Sequence, residues 1–350
     1  MIPNAIIQCA DTGPLESLVD MFSAIGIKSY IPNDALKRLL RSAGCDNVLD
    51  ISSLVRGWGY EQPFPIPEAG IDQFNDRDFI YVDVKAHRNG PKLWREHDSL
   101  RSRTLWYRIN GGRPEHVIRG SEDCGNEINP PCPVLTPNLW YREEGPWMTK
   151  SYATWPPFYR FEEYSEERPT CNFHNPLCLI HNLTGWGYAA LVEGVRKLGV
   201  RCHGAGSPDG LIKHGEVRVQ LTKTIAMVHL KSSDAPGYAL YEALAAGCPL
   251  IVSRRLIWRN RMQELFVPGE TCLAFDRETH DPLSPSDVEN CLAEIKEALS
   301  RLRDPGYNRK IGLAGKDRLK GLMWNKTRKS DIDSLTAFMG RHFRCQGTRT

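Results

Sequence analysis

The sequence predicts an α/β protein of two domains, each a parallel sheet covered by helices. Three observations carry this. The chain has 350 residues, more than the roughly 250 to 300 at which a single core stops growing. Short apolar runs alternate with helix-period segments, and the alternation breaks at a proline-rich stretch before it restarts. The composition, 41% hydrophobic and 25% charged, is that of a globular chain and excludes a disordered or membrane-embedded one.

Ala5–Cys9 reads as a strand, Gly13–Ile25 as a helix with Leu15, Leu18, Val19, Phe22 and Ile25 as its apolar positions, and Ile27–Ile31 as the next strand. Strand, helix, strand opens a βαβ unit. Asp78–Val84 continues as a buried strand, Pro91–Ser102 as a helix and Thr104–Asn110 as a further strand. Between Ser121 and Glu167, seven prolines together with Trp140, Trp147 and Trp155 predict an interdomain connection or lid. After Pro176 the pattern resumes: Leu177–His181 as strand, Tyr188–Leu198 as helix, Val200–His203 and Thr224–Leu230 as strands. The domains are drawn over residues 1–168 and 169–330, with 331–350 as a helical tail returning toward the first.

The formal charge of +3 hides an asymmetry, since residues 1–150 hold 17 Lys and Arg against 20 Asp and Glu, and residues 301–350 hold 13 against 4. Charge of this size does not by itself announce a nucleic-acid partner. Eleven cysteines without a CxxC pair fit neither a disulfide framework nor a zinc site, and point to a reducing cytoplasm. The N-terminus lacks a signal-peptide pattern, and no window approaches the ~18 apolar residues of a spanning helix.

The chemistry concentrates between Ile225 and Ser253. An apolar strand ends in a polar turn, Pro236-Gly237 opens a helix, Gly247 stops it, and Pro249 leads into another apolar strand. The helix N-terminus suits a phosphate or diphosphate. Asp234 in the turn and Glu242 in the helix can both face the crevice beyond the strand. On spacing alone, a diol-binding pair and an N-capping Asp with a solvated Glu stand level.

This run resembles the nucleotide-sugar signature of GT-B glycosyltransferases, above all the retaining family 4 type. Its acid-x7-acid pattern and Glu-Ala-Met-Ala-x-Gly-x-Pro helix are matched here by Asp234-x7-Glu242 and Ala243-Leu-Ala-Ala-Gly-Cys-Pro249. The likeness continues through Glu264–Phe275, the helix Ser284–Leu302 and Met323-Trp-Asn325, covering residues 176–340. It implies two Rossmann-like domains facing a central cleft, with the acceptor on the N-terminal side and the nucleotide sugar on the C-terminal side. It also implies that Glu242 binds ribose hydroxyls, that Asp234 contacts the transferred sugar, and that backbone at Gly237 and Tyr238 meets the donor. The expected donor is a UDP-sugar, no cofactor or metal is obligatory, and the anomeric configuration is retained. In place of the family's Arg/Lys phosphate pair the loop reads His181–Gly187, so Gly185 and Gly187 are donor candidates. Lys223, Lys231, Arg254 and Arg255 are phosphate candidates.

For the acceptor side, the resemblance implies a functional residue near the end of a strand in the domain's middle, where Tyr81–His87 stands, so Asp83 or His87 is a candidate to activate or position a hydroxyl, with Asp11 after the first strand as another. Asp76-Arg-Asp78 imitates an Asp-x-Asp metal site but precedes its strand, so no metal site is assigned. A saccharide or glycan is the expected acceptor. Pairs such as Trp94-Arg95 and Tyr159-Arg160 keep a phage-type transferase acting on hydroxymethylated DNA as an alternative. A sugar-nucleotide epimerase and a sugar-nucleotide-binding protein without catalysis complete the set.

Overall fold

A computed structural model of the chain describes residues 2–9, 12–43, 66–84, 98–107, 132–137, 151–155, 157–158, 161–164, 168–169, 172–180, 188–204, 206–232, 237–277 and 283–343. The chain divides into two compact units. The first holds strands β1 (Asn4–Gln8), β2 (Ser29–Pro32), β3 (Glu68–Ala69), β4 (Phe79–Val84), β5 (Thr104–Tyr107), β6 (Val134–Thr136) and β7 (Ser151–Ala153). Helices α1 (Thr12–Ala24), α2 (Asp34–Ser42) and α3 (Ile71–Asn75) lie between its early strands. The sheet is parallel throughout, in the order β3-β2-β1-β4-β5-β6-β7. Chain direction across this sheet reverses between β1 and β4, the topological switch point where α/β sheets bind ligands.

Local chemistry accounts for these elements. The Asn33 side chain accepts the Leu36 N–H at 2.9 Å and starts α2. Leu36 and Leu40 of that helix and Phe74 of α3 then pack on Ile6, Tyr81, Trp106 and Val134 of the sheet. The proline-rich stretch expected to be a connection or lid instead supplies β6 and β7, with Val134 and Leu135 fully buried. Strands of three residues are too short to show a period, so prolines at their borders dominated the pattern. Of the helix expected over Pro91–Ser102, residues 91–97 lie outside the described residues, and Asp98–Arg103 is a 3-10 turn.

The second unit holds β8 (Leu177–Leu179), β9 (Arg201–His203), β10 (Met227–His229), β11 (Leu250–Ser253) and β12 (Leu273–Phe275). Their order is β12-β11-β10-β8-β9, again all parallel, with the switch point between β8 and β10. Helices α4 (Ala189–Lys197), α5 (His214–Lys223), α6 (Tyr238–Ala245), α7 (Arg254–Arg259), α8 (Pro285–Arg301) and α9 (Pro305–Leu322) accompany it. Cys178, Val228 and Ile251 form one core with Leu191 and Val195 of α4 and Ile295 and Leu299 of α8. Ser284 and Asp287 close a capping box at the start of α8.

Two glycines set how closely α9 approaches the end of α6. Gly247 has φ +64°, the left-handed geometry that terminates α6. A Cβ at Gly312 of α9 would run into the Gly247 carbonyl.

The unit boundary is crossed between β7 and the 3-10 turn Phe161–Tyr164, and again between Leu322 and Met323. Both crossings come earlier than the residues 168 and 331 read from the sequence. Hydrogen bonds explain the first: Arg168 donates to the carbonyls of Leu221 at 3.0 Å and Thr224 at 2.7 Å, and Lys316 donates to the Tyr164 carbonyl at 2.5 Å. The last helix, α10 (Lys329–His342), belongs to the first unit, where Phe338 meets Tyr152 with ring centroids 5.5 Å apart.

Candidate functional site

The carboxyl edge of the second sheet gathers the chemistry. Helix α6 follows β10 and starts after Gly237, whose backbone is extended at φ −67° and ψ 154° and where an added Cβ would meet nothing within 4 Å. The fold therefore does not itself require glycine at this position, and its backbone is open to close approach. Residues Leu240 through Ala245 of α6 are all buried, Glu242 among them at 7% exposure. A solvated helix glutamate is thereby set aside: Glu242 is a carboxylate held inside an apolar helix. Tyr238, at the start of α6, stacks edge-on against Tyr241 at 6.0 Å.

Cations line the same edge. Lys231 follows β10 and stands close enough to His229 to disfavour its protonation. Arg254 and Arg255 follow β11 as the first residues of α7. Arg254 pairs with Asp276 at 2.7 Å on the surface. Arg255 is partly buried, and its Nε has no hydrogen-bond partner. Arg277, two residues beyond β12, is 2% exposed and was not singled out from the sequence. Its Nη1 donates to the Leu230 carbonyl at 3.0 Å, and its guanidinium lies 4.1 Å from the ring centroid of Tyr188, the N-cap of α4. Arg277 thus joins the two segments that leave β8 and β10, the strands flanking the switch point. Burial holds its pKa below the usual arginine range, and the nearby charge of Arg255 adds to this. Lys223 does not join the group: it ends α5 ahead of β10, at the amino edge of the sheet.

Two further polar groups at this edge escaped the sequence reading. His229 closes β10 at 2% exposure with neither ring nitrogen hydrogen-bonded, and burial, with Lys231 second, pushes its pKa down to about 3. Ser253 closes β11 fully buried, and its hydroxyl has no partner. The available signal was a polar residue ending an otherwise apolar strand. Asp234, Gly185 and Gly187 lie outside the described residues.

In the first unit, Asp83 stands near the carboxyl end of β4 at 3% exposure. Gln8 ends β1 directly opposite it in register. His87 and Asp11 lie outside the described residues. Asp76 and Asp78 sit at the amino end of β4, where the Asp76 carboxylate accepts the Asp78 N–H at 3.0 Å and the Asp76 carbonyl accepts from Arg103. This is turn geometry. Among the described residues no group of three or more His, Cys, Asp or Glu is placed to hold a metal, and no helix is long and apolar enough to cross a membrane.

Two parallel α/β sheets with flanking helices are the architecture of the GT-B glycosyltransferases. A family model described as glycosyl transferase-like matches residues 188–328, the segment from α4 to beyond α9. Among solved structures of this fold, sucrose-phosphate synthase from Thermosynechococcus elongatus is 14% identical, covering 97% of this chain and 99% of its own, with a TM-score of 0.55. Trehalose-6-phosphate synthase is 9% identical over 97% and 98% of the two chains, at 0.57. A variant of Os79 from O. sativa, in complex with UDP, is 9% identical over 96% and 100%, at 0.53. The chain spans 55% of the length of TarM, which it matches at 9% identity over 76% of its own length with a TM-score of 0.51. No curated protein matches by sequence. At these identities the structural likeness is one of fold. With the family match it supports a transferase enzyme that moves sugars.

Proposed function

We propose that the chain transfers a hexose from a nucleotide-diphosphate sugar, UDP-sugars favoured, to a hydroxyl of a saccharide acceptor. Retention at the anomeric carbon, independence of an obligatory metal and kinship with family 4 belong to the same reading. The observation that carries it is Glu242, a carboxylate buried in α6, the helix that starts at the sheet edge where Lys231, Arg255 and Arg277 stand. A carboxylate accepts hydrogen bonds from both hydroxyls of a ribose diol. Cations beside a helix N-terminus suit the diphosphate. As the bond between the anomeric carbon and the phosphate oxygen breaks, negative charge grows on the departing phosphate. Fixed cations and N–H groups stabilise that charge without having to reorganise.

In this reading Asp234 contacts the transferred sugar, while Gly237 and Tyr238 offer backbone to the donor, with Gly185 and Gly187 as further donor contacts. Asp83 accepts or positions the acceptor hydroxyl, and His87 and Asp11 are its candidate companions. Seven described cysteines, all buried and none in a disulfide, suit a reducing, cytoplasmic compartment.

The experiment is incubation with a panel of UDP- and GDP-sugars, with and without saccharides, following nucleotide release. Release stimulated by a saccharide is expected. Conversion of the sugar nucleotide without an acceptor would indicate an epimerase, and stimulation only by hydroxymethylated duplex DNA would move the acceptor to DNA. Binding without release would leave a sugar-nucleotide-binding protein.

A further inference from the structure

We infer that Gln8, with Asp83, forms a hydroxyl-binding pair for a neutral saccharide on the first unit. The inference rests on the transferase reading for the saccharide's role as acceptor, and on the fold alone for the site.

Gln8 is the last residue of β1 and Asp83 the last but one of β4. These strands flank the switch point of the first sheet, and Gln8 and Asp83 are partners in register. Side chains in register on neighbouring parallel strands share a face, about 4.8 Å apart along the hydrogen-bonding direction. Ile6 and Tyr81, two residues earlier on each strand, lie in the core with α2 and α3, so Gln8 and Asp83 extend that face to the carboxyl edge of the sheet.

Gln8 is 1% exposed, and neither its amide nitrogen nor its amide oxygen has a hydrogen-bond partner. Buried amides are nearly always bonded, so an amide with both functions open at a switch point is explained by a group that arrives later. The amide offers two N–H donors and one acceptor, and the carboxylate beside it offers acceptors only. Their complement both donates and accepts, as neighbouring sugar hydroxyls do. A phosphate or carboxylate ligand would be repelled by Asp83.

The test uses the full chain, its Gln8→Met and Gln8→Asn variants, and glucose, galactose, sucrose and maltose as probes in thermal unfolding. At least one saccharide is expected to raise the wild-type Tm, as ligand linkage requires. Gln8→Met should lose that shift while its own unliganded Tm rises by about 2–4 °C, because an apolar isostere replaces an amide without partners. Gln8→Asn should keep part of the shift. A wild type that responds to none of the four sugars, a shift unchanged in Gln8→Met, a response to duplex DNA alone, or failure of both variants to fold would each overturn the inference. Nucleotide release with the same sugars, measured in parallel, reads the transfer reaction separately. A Gln8-dependent saccharide shift without nucleotide release keeps this site and removes the transferase reading.

Discussion

Arg277 stacks its guanidinium 4.1 Å from the ring centroid of Tyr188 while its Nη1 holds the Leu230 carbonyl at 3.0 Å. One cation thereby joins the start of α4 to the segment leading into α6. Replacing it by Gln removes the charge and leaves a buried carbonyl poorly satisfied, so a stability loss of about 1–3 kcal/mol is expected. On the proposed reading of a UDP-sugar donor held at this edge, UDP affinity should fall as well, by about tenfold or more. Calorimetric titration with UDP, paired with denaturant unfolding, separates the two effects. A destabilised variant with wild-type UDP affinity would make Arg277 purely structural.

Charge at the two edges of the second sheet should act differently. Arg255 lies at the carboxyl edge beside Arg277, and Lys223 lies at the amino edge. Arg255→Gln is expected to weaken UDP binding and flatten its salt dependence, whereas Lys223→Gln should leave both within about twofold. Titrations at two ionic strengths check this.

His229 predicts a pH dependence of stability. Its folded pKa is about 3 against 6.5 for the free side chain. As pH falls below 6.5 the unfolded chain takes up the proton and the folded chain does not, so stability is full above that value and declines toward pH 3. Between pH 6.5 and about 5 the loss from this group is about 2 kcal/mol. His229→Phe should remove that part of the acid slope, read from denaturant midpoints across the interval. An unchanged slope would place the proton uptake elsewhere.

Gly312 and Gly321, both in α9, should respond in opposite directions to alanine. A Cβ at position 312 would strike the Gly247 carbonyl, whereas at position 321 it would meet nothing within 4 Å. Gly312→Ala is expected to cost about 1–3 kcal/mol, as overpacking does. Gly321→Ala should stabilise by about 0.4–1 kcal/mol through helix propensity and the unfolded chain. Thermal unfolding of the two variants decides.

The legible parts of the fold were those where several residue-level signals agreed. Gly247 and Pro249 around α6 marked a boundary that the structure reproduces within a residue or two, and the start of α8 at Ser284 followed from the family resemblance. Strands β6 and β7 were missed because three-residue segments set among prolines carry no period, and their burial comes from neighbours distant in sequence. The site divided in the same way. Glu242 stood within a recognisable pattern, but its burial depends on packing that spacing alone does not contain. Arg277 lies 35 residues after Glu242, and only the parallel order of β10, β11 and β12 brings it to the same sheet edge. Gln8 was read as part of a strand, and its meaning emerged from the register with Asp83.

Glu242→Gln, an isosteric change, removes the buried charge of α6 and keeps its volume. The measurement is the rate of nucleotide release from the sugar nucleotide the wild type prefers, with the variant's fold checked by its unfolding transition. A diol-binding role for Glu242 requires a folded variant whose release rate falls by about a hundredfold, the loss of about 2.7 kcal/mol of transition-state stabilisation. A folded variant that releases nucleotide at the wild-type rate would contradict it.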